Sequence, residues 1–169
     1  VRETLFNWLA PRIVEARCLD LFAGSGALGL EAISRGAGHV TFVERDPRAA
    51  QAIEDVLTAW GETNAGTVVR GDARRLLASG DSGSAAGPLP YDVVFLDPPF
   101  ADDLLVDVMQ SLDPRWLAHD ARIYVEHAAR AKLPSLPSGW EVLKSGRAGE
   151  VGYDLIACRG GMAAEREPE

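Results

Sequence analysis

Arg17-Cys18-Leu19-Asp20-Leu21-Phe22-Ala23-Gly24-Ser25-Gly26-Ala27-Leu28-Gly29-Leu30-Glu31-Ala32 reads as a short strand, a tight glycine turn and the opening of a helix. That arrangement lets backbone N–H groups and a helix N-terminus come close to a small ligand. Gly24, Gly26 and Gly29 supply the G-x-G-x-x-G spacing. On its own the spacing is a weak indication, and the charge beside it is what discriminates. A dinucleotide brings an anionic pyrophosphate to such a turn, and a nearby carboxylate repels it.

Here Asp20 ends the strand that enters the turn. Three more acids stand where later strands are expected to end: Glu44 after His39–Val43, Asp72 after Gly66–Arg70, and Asp97 after Asp92–Leu96. Strand carboxyl ends converge on the ligand crevice of an open parallel sheet. The sequence therefore predicts one pocket lined by Asp20, Glu44, Asp72 and Asp97, with Phe22, Ala23, Gly24, Ser25 and Gly26 of the turn, and Arg45 and Ala73 just behind their acids.

Such a pocket suits a ligand with positive charge, a ribose and an adenine but no phosphate. S-adenosyl-L-methionine fits that description. Asp20 is assigned to its ammonium, Glu44 to the ribose hydroxyls and Asp72 to the adenine amine. Asp72 also precedes Ala73-Arg74-Arg75-Leu76-Leu77, where it would serve equally as a helix N-cap.

With 169 residues, 47% of them apolar and 25% charged, the chain has the size and composition of one soluble domain. It is expected over residues 1–159, with a polar, disordered tail at 160–169. No apolar run reaches a membrane span and no signal peptide is visible, so a cytoplasmic location is expected. Cys18 and Cys158 read as small buried residues, and His39, His119 and His127 lack metal-ligand spacing. No metal is predicted.

Apolar periodicity places helices at Val1 to about Leu9, Ala27–Ser34, Pro47 to Gly61 and Asp103–Leu112. In the third, Asp46 is the expected cap, and Ala50, Ile53, Leu57 and Trp60 form the inward stripe. Ser79 to Pro90 reads as a loop. Tyr91–Leu96 is a nearly continuous apolar strand, suited to the buried centre of a parallel sheet. Arg122–Glu126 follows, and then Trp140–Ser145 and Val151–Cys158 as a hairpin around Gly146–Gly149. Strands alternating with helices and closed by a hairpin give an α/β, doubly wound, Rossmann-like sheet with an antiparallel edge strand.

The second chemical element is Asp97-Pro98-Pro99-Phe100. Two prolines fix the backbone and remove two N–H donors, so the carbonyls face the crevice without competition. Asp97 and a carbonyl of Pro98-Pro99 would accept hydrogen bonds from an exocyclic NH2 while Phe100 stacks on its ring. The amine then attacks the sulfonium methyl, and its proton leaves afterwards. Read plainly, the same residues are a rigid strand-to-helix turn with a buried phenyl.

Leu19 to Ala32, Glu44 and Asp97 to Phe100 resemble the class I S-adenosylmethionine-dependent methyltransferases that modify exocyclic amines. With Val1–Pro11 and Ile123-Tyr124-Val125-Glu126 added, nearly the whole chain is similar to the RsmD family of bacterial 16S rRNA (guanine-N2)-methyltransferases. The resemblance implies a seven-stranded class I fold, S-adenosyl-L-methionine as methyl donor, and a guanine of 16S rRNA as target, presented on a partly assembled 30S particle to a monomeric enzyme. It also implies a basic arm ahead of Val1, which this chain is expected to lack.

The net charge of −8 opposes nucleic-acid binding. The absent arm, with Arg2, Arg12, Arg74, Arg75, Arg130 and Arg147, is the expected source of RNA affinity. A DNA adenine or cytosine amino-methyltransferase remains an alternative, because it shares Asp97–Phe100, although no target-recognition insertion is visible. A nicotinamide-dependent oxidoreductase is disfavoured by Asp20, and a non-catalytic module would have little use for the acids.

Overall fold

The computed structural model describes residues 1–79, 90–99 and 104–159. Among them, seven strands form one sheet in the order β3-β2-β1-β4-β5-β7-β6. The strands are β1 Arg17–Asp20, β2 His39–Glu44, β3 Gly66–Arg70, β4 Tyr91–Leu96, β5 Leu117–Ala128, β6 Trp140–Ala148 and β7 Val151–Cys158. The first five run parallel, and β7 lies antiparallel between β5 and β6. The expected terminal hairpin is thus present, with β6 outermost.

Helices α1 Arg2–Ile13, α2 Ala27–Ser34 and α3 Pro47–Trp60 cover one face, and α4 Ala73–Ser79 and α5 Leu104–Ser111 the other. The double winding follows from the alternation of side chains along each strand. On β4, Val93 and Phe95 pack toward the first helix group, and Tyr91, Val94 and Leu96 toward the second. Phe6 of α1 meets Phe95 with ring centroids 6.0 Å apart.

Several boundaries differ from expectation. Helix α1 runs on through Pro11 to Ile13, because Pro11 falls in the last turn and Ile13 gains a buried place against the sheet. Trp60 does not join the inward stripe: Ala50, Ile53 and Leu57 are buried, whereas Trp60 at the helix end is 51% exposed. Strand β5 begins at Leu117, five residues earlier than Arg122. The added segment contains Asp120 at φ 58° and accompanies a register shift between Tyr91 and Val93, so no apolar alternation marks it. Strand β6 continues past Ser145 to Ala148, leaving Gly149 and Glu150 as a two-residue turn, with Gly149 at φ 57°. Most of the expected 79–90 loop, Phe100, Asp103 and the 160–169 tail lie outside the described residues. No helix among the described residues is long and apolar enough to cross a membrane.

Candidate active site

The carboxyl ends of β1, β2, β3 and β4 surround a cavity of about 800 Å³. Asp20, Phe22, Ala23, Gly24, Ser25, Glu44, Arg45, Asp72, Ala73, Asp97, Pro98 and Pro99 all line it. Gly26 does not. It is the N-cap of α2 at φ 81°, and a Cβ there would meet Ile53 Cγ1 at 2.9 Å, so its place is in helix packing behind the wall. Gly71, Arg74 and Leu104 also line the cavity, and sequence reasoning missed them.

Asp20 is fully buried beneath the glycine turn. Its Oδ2 accepts from the Gly29 N–H at 3.3 Å, while Oδ1 is buried with no hydrogen-bond partner. Burial pushes its pKa up to about 7 against the pull of the Gly29 and Phe22 N–H groups, with the charges of Asp97 and Glu44 adding to the rise. A buried, unpartnered carboxylate oxygen calls for a donor or a cation.

Glu44 ties the site together. Oε2 accepts from the Gly24 N–H at 2.6 Å and Oε1 from the Asp46 N–H at 2.9 Å, so one carboxylate fastens the end of β2 to both the glycine turn and the start of α3. Gly24 has φ 56°, and a Cβ there would meet nothing within 4 Å. The turn therefore presents bare backbone to open space.

Asp72 does cap α4: its Oδ1 accepts from the Arg74 N–H at 2.8 Å and the Arg75 N–H at 3.4 Å. Burial raises its pKa, but those N–H groups and the guanidiniums of Arg74 and Arg45 together hold it below the ordinary value. Oδ1 does the capping, so the cap and a ligand contact through Oδ2 are compatible.

Asp97 follows directly on β4. Burial, then the charge and hydrogen bond of the neighbouring Glu126, push its pKa up to about 7. Glu126 in turn accepts from the Tyr124 hydroxyl at 2.5 Å. Glu126 closes the Ile123-Tyr124-Val125-Glu126 stretch. Asp97 and Glu126 are far apart in the chain, and only the pairing of β4 with β5 brings them together.

Most of the arginine–acid pairs among the described residues stand at the end of the sheet opposite the cavity, although Arg70 pairs with Glu54 at 3.1 Å and Arg74 with Asp72 at 3.7 Å at the cavity end. At the end opposite the cavity, arginines are matched with acids: Arg12 and Arg122 with Asp120, Arg17 with Asp92, Arg35 with Glu31, Arg115 with Asp113, and Arg159 with Asp120 and Glu141. Of the arginines in the expected RNA-binding set, Arg12 donates to Asp120 at 2.7 Å, at the start of β5, and Arg74 stands 3.7 Å from Asp72. At the cavity end, Arg45, Arg75 and Arg147 form no ion pair among the described residues, and Arg130 meets Glu150 only at 3.7 Å with both side chains exposed.

The family model described as Conserved hypothetical protein 95 matches residues 1–157. Ribosomal RNA small subunit methyltransferase D of Escherichia coli (strain K12) is 45% identical over 156 residues, which are 92% of this chain and 75% of that protein. The protein of the same name from Haemophilus influenzae is 40% identical over 157 residues, 92% of this chain and 78% of the relative. The solved structure of yhhF from Escherichia coli superposes with a TM-score of 0.86 at 43% identity, covering 94% of this chain and 84% of that one. The sheet order, the glycine turn and the Asp97-Pro98-Pro99 segment are those of a class I methyltransferase, and at these identities the chain belongs to the ribosomal RNA small subunit methyltransferase D family.

Proposed function

We propose that this chain transfers the methyl group of S-adenosyl-L-methionine to the exocyclic N2 amine of a guanine in 16S rRNA, presented on a partly assembled 30S particle. The observation that carries the reading is the junction of two features in one cavity: the acid-lined glycine turn and the Asp97-Pro98-Pro99 segment. The names of the relatives support the choice of RNA.

When bound, S-adenosyl-L-methionine supplies an electrophilic methyl on a sulfonium. The chain's own residues do the rest. Asp20 offers its unpartnered Oδ1 to the ammonium, Glu44 holds the ribose diol while keeping the glycine turn closed, and Asp72 meets the adenine amine. Asp97 and a carbonyl of Pro98-Pro99 orient the target amine, and Phe100 is assigned to stacking from its place in the sequence alone.

The test is methyl transfer from labelled S-adenosylmethionine to small-subunit particles, free 16S rRNA and duplex DNA, with nucleoside analysis of the product. N2-methylguanosine in the RNA is expected. Label in DNA adenine or cytosine, with none in RNA, would replace this reading with the DNA alternative.

A further inference from the structure

The register that pairs Leu96 with Val125 sets the next residue of each strand, Asp97 and Glu126, side by side at the cavity end of β4 and β5. When both are ionised the two carboxylates offer each other only acceptors, so a hydrogen bond between them forms once one takes up a proton, and this adds to burial and the charge of Glu126 in raising the pKa of Asp97. Glu126 is fixed from its other side. The Tyr124 hydroxyl donates to its Oε1 at 2.5 Å, and the fully buried Tyr124 ring packs on Tyr153 with centroids 6.4 Å apart. Asp97 lines the cavity beside Pro98 and Pro99, and Glu126 stands behind it.

We propose that Glu126 is a positioning residue for methyl transfer: held by Tyr124, it forms with Asp97 a carboxyl pair that takes up and holds the proton lost by the target amine. The inference rests on the methyl-transfer reading above. In the step, the amine N–H bond breaks and an Asp97 O–H bond forms. The N–H electrons stay on nitrogen and cancel the positive charge it gains with the methyl group. The proton then lies between Asp97 and Glu126, so the pair passes from two negative charges to one until water removes it.

The surroundings favour holding that proton. The groups that face the pair are Tyr124 on β5, Asp20 on β1 and, beyond Tyr124, Tyr153 on β7. The α1 residues packed over this face, Leu5, Phe6 and Leu9, are apolar. Burial and the charge and hydrogen bond of Glu126 keep Asp97 protonated up to about pH 7. Removing Glu126 leaves Asp97 ionised at lower pH but a weaker proton acceptor.

Wild type, Glu126→Gln and Tyr124→Phe are compared by two readouts. The first needs no substrate: carboxyl-carbon NMR of the full chain, labelled in Asp and Glu, followed against pH. Asp97 should titrate near 7 in the wild type. Its step should move down toward the ordinary aspartate range in Glu126→Gln. In Tyr124→Phe it should move up, because Glu126 loses the donor that stabilises its charge. The second is kcat on small-subunit RNA. It should fall with pH below about 7 in the wild type. In Glu126→Gln it should drop about 100-fold at the plateau, with the acid limb displaced downward and the KM for S-adenosylmethionine unchanged. Tyr124→Phe keeps the ring packing and preserves the test if Glu126→Gln does not fold. An Asp97 step that stays in place in the folded variants overturns the proposal, as does an unchanged kcat–pH profile in Glu126→Gln. If the wild type moves no methyl group to RNA whatever the NMR shows, the methyl-transfer reading itself fails.

Discussion

The Glu44 carboxylate grips the Gly24 N–H at 2.6 Å, and through its other oxygen the Asp46 N–H at 2.9 Å. The acid proposed to hold the ribose is thus also the clasp of the glycine turn. A charge-assisted bond of this kind is worth roughly 1.5–3 kcal/mol. Glu44→Ala should therefore weaken S-adenosylmethionine about 10- to 100-fold with a folded sheet, measured by calorimetry. Unchanged affinity would remove Glu44 from the cofactor site.

Asp20, proposed to hold the ammonium, should link cofactor binding to pH. Its folded pKa of about 7 lies above the ordinary 3.8, so the native state keeps a proton that the unfolded chain loses. This group's contribution to stability is accordingly full at low pH and is lost as pH rises toward about 7. A cationic ligand favours the ionised form, so affinity should rise between about pH 6 and pH 8, with protons released on binding. Calorimetry in buffers of different ionisation enthalpy checks this, and pH-independent affinity would contradict it. Asp20→Asn should stabilise the free chain by about 1–3 kcal/mol while binding the cofactor less well.

Two glycines of one motif should behave differently. At Gly29 a Cβ would stand 2.3 Å from Phe42 Cε1 and 2.9 Å from Val40 Cγ1, so Gly29→Ala must push α2 off β2. Its expected cost is about 1–3 kcal/mol or more of stability. At Gly24 there is open space but φ is 56°, and Gly24→Ala should cost about 1–2 kcal/mol and chiefly impair cofactor binding. Denaturant melts beside binding curves separate the two, and equal effects on both quantities would refute the distinction.

Among the described residues, Arg75 and Arg147 at the cavity end form no ion pair, which makes them the candidates for RNA contact. Neutralising Arg75 or Arg147 at the cavity end should weaken RNA binding and lower the salt slope by about 1 each. Arg35, paired with Glu31 at 2.8 Å at the other end, should leave both unchanged. Filter binding across a salt series is the measurement; an equal loss at Arg35 would show that the acidic body contributes no oriented surface.

The core strands were legible because each is an apolar run bounded by glycine, proline or an acid. Strand β4 begins and ends where its sequence says, and the acid after it lines the cavity as expected. The early start of β5 was not legible, since the fold tolerates Asp120 at positive φ by matching it with Arg12 and Arg122. Glu126 was hidden for another reason. Its partner Asp97 is a neighbour only through parallel pairing, which leaves no local periodicity to read. Trp60 followed the helical stripe in sequence, yet stands where α3 has ended against the sheet.

The central claim is that four carboxylates around a glycine turn make an S-adenosylmethionine site rather than a dinucleotide site. Calorimetric titration of the chain with S-adenosylmethionine, S-adenosylhomocysteine and NAD tests it most directly. Saturable binding of the first two with none for NAD is predicted; NAD binding without the others would contradict the assignment of Asp20, Glu44, Asp72 and Asp97 together.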